Sequence, residues 1–168
     1  MFVMKRLESV AEKVVTGVSK SDRLEILRRE LKTTVLPNEF QLPLNPSLKV
    51  KGIVIDKCRV MESKKKPLWL TLTNAAAAKN KENNNIVLML KVGDDLRQDT
   101  LILQLLTVMN HIWLKEGLDM KMQLYGCIST GFERGLLQVV QNATTLGRIL
   151  IDATAKKKHS GQSFICFV

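Results

Sequence analysis

The stretch from Leu88 to Leu106, LMLKVGDDLRQDTLILQLL, constrains the fold more than any other part of this chain. Its first half alternates apolar side chains as a strand does, and its second half is apolar at almost every position, as in a buried helix. Lys91 ends the strand pattern, a glycine and two aspartates follow, and Asp99 opens the helix pattern. A strand and a helix joined by so short a turn predict a sheet with a long helix packed on it.

Helices are predicted before this unit. Apolar residues recur at helical spacing over residues 2–32, and the segment from Ser19 to Asp22 carries cap-type side chains that favour two helices over one. Three prolines then predict an extended connection over residues 37–49. The chain therefore divides into a helical lead-in (1–36), this connection, and a lobe rich in strand patterns.

The lobe, residues 50–150, is predicted to belong to the α+β class. Its apolar runs alternate with period two and are rich in β-branched residues, which indicates a five-stranded antiparallel sheet with one long packed helix. Low aromatic content, 5%, implies a core made mainly of aliphatic side chains. The predicted strands cover residues 50–61, 67–74, 85–93, 120–130 and 134–141. Residues 151–168 are predicted to form a basic tail.

Composition limits the functions that this chain can have. A net charge of +10 favours acidic partners such as nucleotide phosphates, anionic lipid head groups or nucleic acid, although many basic domains bind none of these. Three cysteines fit no metal spacing and no even disulfide framework, which favours reduced thiols in an intracellular protein. Only two histidines are present, which argues against histidine-based catalysis.

One group of residues suits an anion. The tip of the predicted hairpin, MESKKKP from Met61 to Pro67, offers basic side chains and turn amides. Lys91 can point its ammonium at the same anion, and a carboxylate from Asp99 would keep it charged and oriented. The same spacing is also compatible with a solvent-exposed Lys91 at a strand end, an Asp99 that only starts a helix, and a hairpin tip that is only a solvated turn. No glycine-rich phosphate loop is present in the sequence.

The exact residue strings favour an anion-binding site over these solvated alternatives. KVGDDLRQDTLILQLLTVMNHIWLKEGLDMKMQLYGCISTG, CRVMESKKKPLWL and GLLQVVQNATTL resemble the phosphoinositide 3-kinase catalytic domain, in the same order as in that domain. The resemblance covers about residues 40–149 and is closer to class II than to class I enzymes, although CRVMESKKKPLWL leans toward class I. Gln138 stands where class I enzymes usually carry an acid. Residues 1–36 resemble the helical lead-in of that domain more loosely, and residues 150–168 show no such resemblance.

The resemblance implies a protein-kinase-like N-terminal lobe that binds ATP for phosphorylation of the inositol 3-hydroxyl of phosphoinositides. It places a phosphate-binding loop at 61–67 with Lys65 at its basic position, apolar pocket walls at Trp69 and Met89, and the phosphate-contacting lysine at Lys91. It also implies a hydrogen-bonded pair of Asp99 and Tyr125, and a hinge at 137–140 whose backbone at Gln138 and Val140 binds the adenine edge. The implied nucleotide-binding residues are Met61, Ser63, Lys65, Pro67, Trp69, Met89, Lys91, Asp99, Tyr125, Leu137, Gln138, Val139 and Val140.

The family's catalytic loop and metal-binding DFG string do not occur in this sequence. The resemblance therefore implies no catalytic residue here, Mg²⁺ ligands in a C-terminal lobe beyond this chain, and a fragment inactive on its own. It also implies a cytoplasmic protein peripheral to membranes that carry phosphoinositides, with no role for nucleic acid. The alternative is a non-catalytic fragment that binds nucleotide, a partner or an acidic membrane.

Overall fold

The computed structural model describes residues 2–76 and 85–156, except for the side chains of the last four. Helix α1 spans Phe2–Val15 and α2 spans Lys20–Thr33. The Asp22 amide donates a 3.0 Å hydrogen bond to the Ser19 side-chain oxygen, which caps α2 and ends the continuous helical pattern there. The predicted pair of N-terminal helices is confirmed.

The sheet is antiparallel throughout, and its strand order is β1-β2-β4-β5-β7-β6, with β3 as a third, short partner of β4. The α+β class is confirmed, but the prediction of five strands is wrong, because the described residues form seven. These are β1 Phe40–Leu42, β2 Asn45–Ile53, β3 Arg59–Val60, β4 Leu68–Asn74, β5 Asn85–Val92, β6 Cys127–Gly131 and β7 Arg134–Gln138. Helices α3 Arg97–Lys115 and α4 Leu146–Lys156 complete the order.

Two of the differences arise on the N-terminal side of β4. The segment predicted as an extended connection contains β1 and the start of β2. The strand predicted over 50–61 is broken by a 3₁₀ turn, Ile55–Lys57. At the break the Thr71 amide donates to the buried Cys58 sulfur at 3.4 Å instead of to a strand carbonyl. The Cys58 sulfur thereby replaces a backbone carbonyl as the acceptor for β4, and the chain can leave the strand at the 3₁₀ turn.

One face of the sheet, here called the back face, carries the main core. Leu68, Leu70, Leu90 and Leu136 point from β4, β5 and β7 into a cluster with apolar residues of α1 and α2. A second cluster forms beneath β1 and β2. Since side chains alternate along a strand, the residues between these leucines point to the opposite face, here called the front face.

Helix α3 differs most from its prediction. It has the expected position and length, yet none of its 19 residues is buried, and Leu101, Leu105, Val108 and Ile112 are each more than half exposed. Its main contact with the sheet is along β6. The prediction that it is buried is wrong, because an apolar pattern shows that a helix needs cover without showing which element supplies it. No helix in the described ranges has the length and apolar character to cross a membrane.

Candidate functional site

Three predicted pocket residues lie in one row on the front face. Trp69 is opposite Met89, and Met89 is opposite Leu137, so their side chains share a face across β4, β5 and β7. Cys127 of β6 extends the row, since it is opposite Leu137. Lys91 follows Met89 by two residues on β5 and therefore points to the same face. The strand register thus brings an indole, two apolar side chains and an ammonium together.

The ammonium of Lys91 is held by Asp94. Its Nζ donates to the Asp94 carboxylate at 2.9 Å, and the lysine side chain is 21% exposed. The prediction that Asp99 holds this lysine is wrong. The turn after β5 passes through Gly93 at φ 80°, a left-handed conformation that suits glycine, and brings the next carboxylate back beside the strand. Within the described residues Lys91 makes no other side-chain hydrogen bond, so two of its three donor hydrogens stay open.

Asp99 lies in the first turn of α3, near Cys127. Burial is the main cause that raises the pKa of the Cys127 thiol, and the Asp99 charge raises this pKa further. The Thr100 hydroxyl and the Lys91 charge lower it. Asp99 and Lys91 therefore both lie within electrostatic range of one thiol. The expected hydrogen bond between Asp99 and Tyr125 does not form in this structure, and Tyr125 precedes β6 in an irregular segment rather than lying on a strand.

The loop predicted to bind phosphate is a closed turn between β3 and β4. The Met61 amide donates to the Pro67 carbonyl at 2.9 Å, and the amides of Ser63 and Lys66 also donate to carbonyls within the loop. With these amides engaged, attraction of an anion would depend mainly on the exposed lysines, Lys65 among them. The loop's carboxylate, Glu62, is paired with Lys20 at the start of α2.

Arg59 is a front-face residue that the sequence patterns did not predict. It is opposite Trp69 across β3 and β4, and its guanidinium carbon lies 4.2 Å from the centroid of the Trp69 ring. This is a cation–π contact, which fixes one side of the indole and places a positive charge at the edge of the row. The contact could have been predicted from the register of the β3–β4 hairpin, because the length of the turn determines which residues of the two strands are opposite each other.

The predicted hinge lines a separate cleft. Tyr125, Gln138, Val139 and Val140 border a cavity of about 380 Å³ at the end of the sheet. The Gln138 amide donates to the Gly126 carbonyl at 2.7 Å, and the Gln138 side-chain oxygen accepts from the Gly126 amide at 3.2 Å. Gln138 therefore pins the hinge to the segment before β6. Trp69, Met89 and Lys91 do not line this cleft, so the predicted site is divided between the front face and the hinge.

The described residues contain no group of three or more histidine, cysteine or acidic side chains that could hold a metal ion. The acids after Lys91 do not form one, because Asp94 binds Lys91 and Asp95 binds Arg97 at 2.6 Å. Asp94 and Asp95 are each paired with a cationic side chain and therefore do not fit a Mg²⁺ site.

Comparison with known proteins places the chain in a family. The family model for phosphatidylinositol 3- and 4-kinase matches residues 85–165, which extends beyond the point where the resemblance of the strings ends. Phosphatidylinositol 3-kinase 2 of Dictyostelium discoideum is 44% identical over 151 residues, covering 90% of this chain and 8% of the relative. The human phosphatidylinositol 3-kinase C2 domain-containing subunit gamma is 43% identical over 165 residues, covering 95% of this chain and 10% of the relative.

The human phosphatidylinositol 4-phosphate 3-kinase C2 domain-containing subunit beta is 41% identical over 142 residues, or 82% of this chain and 8% of the relative. The chain thus spans about a tenth or less of the length of these curated relatives. The C2 domain-containing relatives agree with the class II-like strings. The chain belongs to the phosphatidylinositol 3- and 4-kinase family, and its sequence is a fragment of a phosphatidylinositol 3-kinase catalytic domain.

Proposed function

We propose that this chain forms the nucleotide-binding surface of a lipid kinase that phosphorylates the inositol 3-hydroxyl. The observation that carries the proposal is Lys91 on the front face, two residues along β5 from the row of Trp69, Met89 and Leu137. The row offers the purine a flat apolar surface. The lysine, whose carboxylate partner leaves two donor hydrogens open, offers the phosphates a charge-assisted contact.

Charge and backbone at the rim support the same assignment. Arg59 and the lysines of the 61–67 loop add positive charge beside the row, which favours a triphosphate over a neutral ligand. At the hinge, no described residue hydrogen-bonds the Val140 amide, so this donor is free for the adenine edge, whereas the Gln138 amide already donates to the Gly126 carbonyl.

Turnover needs parts that these residues do not supply. Phosphoryl transfer depends on metal positioning and on stabilisation of charge, and neither a metal-ligating group nor the family's catalytic loop is present among the described residues. We therefore expect the chain alone to bind ATP without transferring its γ-phosphate. In the complete enzyme the acceptor would be a phosphoinositide in a membrane, and the protein would be cytoplasmic and peripheral to that membrane.

Tryptophan fluorescence tests the proposal. The chain has two tryptophans, so replacing Trp113 with phenylalanine leaves Trp69 as the reporter of the front face. ATP titrated into this variant should change Trp69 emission saturably. Lys91→Ala in the same background should weaken ATP binding about 10- to 100-fold, since a hydrogen bond to a charged group contributes about 1.5–3 kcal/mol.

Lys115→Ala is the matched control, because it removes an exposed lysine at the far end of α3 and should leave the ATP affinity unchanged. Identical ATP titration curves for the Lys91 and Lys115 variants would rule out the proposed phosphate contact. Saturable binding to anionic vesicles with no response to ATP would favour the alternative of a membrane-binding fragment instead.

A further inference from the structure

We infer that Glu8 of α1 and Arg134 of β7 are positioning residues for Lys91, and that they act through the turn between β6 and β7. The inference rests on the proposed function for what Lys91 binds, but the chain of contacts that it describes exists without a nucleotide. It links the helical lead-in of the chain to the ammonium at the centre of the front face.

The first link joins α1 to the β6–β7 turn. Glu8 is buried, and its two carboxylate oxygens accept hydrogen bonds from Thr130 Oγ1 at 2.8 Å and from Arg134 Nη1 at 3.2 Å. These partners stand near the two ends of the turn, more than 120 residues away in sequence. Arg134 also reaches Glu12 of α1 at 3.5 Å. A buried carboxylate with two such partners resists displacement, because the loss of either hydrogen bond would leave a buried negative charge that neither the protein nor water compensates.

The second link joins this turn to the lysine. Glu133, beside Arg134, adopts φ 49°, and its carbonyl accepts from the amides of Gly93 at 2.7 Å and Asp94 at 3.1 Å. The same Asp94 holds the Lys91 ammonium through its carboxylate. The position of the turn thus determines where the Asp94 backbone lies, and Asp94 determines where the ammonium points.

The geometry requires this indirect route, because α1 packs on the back face while Lys91 points to the front face. No side chain of α1 forms a hydrogen bond or an ion pair with the lysine among the described residues. The turn reaches both sides because it lies at the end of the sheet. A shift of α1 relative to the sheet would therefore reach the Lys91 ammonium through Glu8, Arg134, Glu133 and Asp94.

The test measures the reactivity of the Lys91 amine in the full chain without any nucleotide. Trace labelling of lysines with acetic anhydride, followed by mass spectrometry of peptides, reports how firmly each amine is held. Asp94→Asn should raise Lys91 labelling and sets the upper limit. Glu8→Gln and Arg134→Gln should each raise it about three- to tenfold, and the double variant should add little, as expected for residues that act through one contact.

Glu30→Gln is the matched control. It breaks the 2.7 Å ion pair between Glu30 of α2 and Lys13 of α1, which does not involve the β6–β7 turn. It should leave Lys91 labelling at the wild-type value. If Glu8→Gln fails to fold, Arg134→Gln tests the same contact from its more exposed side, and Arg134→Lys should restore slow labelling in part.

Wild-type labelling of Lys91 in both the Glu8 and Arg134 variants, with fast labelling in Asp94→Asn, would overturn the inference. Additive effects of the two single variants would also overturn it. A wild-type chain that fails to bind ATP would remove the proposed function but would leave these labelling results valid, so the two failures can be told apart.

Discussion

Gly135 is the residue beside Lys91 where an added methyl group should do the most damage. It is opposite Lys91 on β7. A Cβ at this position would lie 2.3 Å from the Ile128 carbonyl oxygen and 2.6 Å from Leu96 Cδ1. Ordinary contacts begin at 3.4 Å, so the new methyl group or the neighbouring strand must move by about 1 Å, and overpacking of this kind costs about 1–3 kcal/mol.

The upper end of that range applies here, for two reasons. The nearest atom belongs to the backbone of β6, which cannot rotate away as a side chain can. The second, on Leu96, belongs to a fully buried side chain with little room to change rotamer. We therefore expect Gly135→Ala to lower the free energy of unfolding by about 3 kcal/mol and to loosen the β5–β7 pairing at Lys91.

Urea unfolding followed by circular dichroism measures the effect. With a slope of about 2 kcal/mol per molar urea, a loss of about 3 kcal/mol moves the midpoint down by about 1.5 M. Gly147→Ala is the matched control, since Gly147 lies in α4 and, outside the local helix backbone, no atom of the described residues lies within 4 Å of its added Cβ; we expect it to be neutral or to stabilise by up to about 1 kcal/mol. A Gly135 variant within 1 kcal/mol of wild type would refute the close approach of β6 and β7.

Three further predictions concern other parts of the fold. Ser19→Ala removes the N-cap of α2 and should cost about 1 kcal/mol in thermal unfolding, with no change in ATP affinity. Leu90→Ala should cost about 2–5 kcal/mol and Leu105→Ala under about 1 kcal/mol, because only the first side chain is fully buried; equal losses would contradict the exposed position of Leu105 on α3. The hydrogen bonds from Arg97 lower the pKa of Asp95 to about 2, so this pair stabilises the fold above pH 4 and is lost as the pH falls toward 2; in Arg97→Gln, carboxyl titration by NMR should return toward 3.8.

Local patterns predicted the parts of this fold that depend on local physics. The alternation before Lys91 and the helical run after Asp99 correspond to β5 and α3, because side-chain period and helix-start acids act over a few residues. The cap at Ser19 marked the break between α1 and α2 for the same reason. The row of Trp69 and Met89 also follows from alternation once the two strands pair in register.

The parts that the sequence could not supply depend on contacts between distant residues. The split of the strand predicted over 50–61 depends on a hydrogen bond from the Thr71 amide to the Cys58 sulfur. The local sequence pattern does not predict this contact. The exposure of α3 depends on which surfaces are available to cover it. The choice of Asp94 over Asp99 as the partner of Lys91 depends on the left-handed turn at Gly93 and on the Glu133 carbonyl, which comes from the far hairpin.

Three acids follow Lys91 within eight residues, and only Asp94 hydrogen-bonds the lysine within the described residues. Asp94 holds the lysine, Asp95 holds Arg97 at the start of α3, and Asp99 lies beside the Cys127 thiol. The division matters for an anion site, since a lysine shared by two or three carboxylates would have its charge cancelled and its donors used. One carboxylate leaves an ammonium that is oriented but still able to donate two hydrogen bonds to phosphate. The acidic string is therefore compatible with phosphate binding, because Asp94 alone holds Lys91 while Asp95 pairs with Arg97, and the Glu133 carbonyl of the β6–β7 turn fixes the backbone of Asp94.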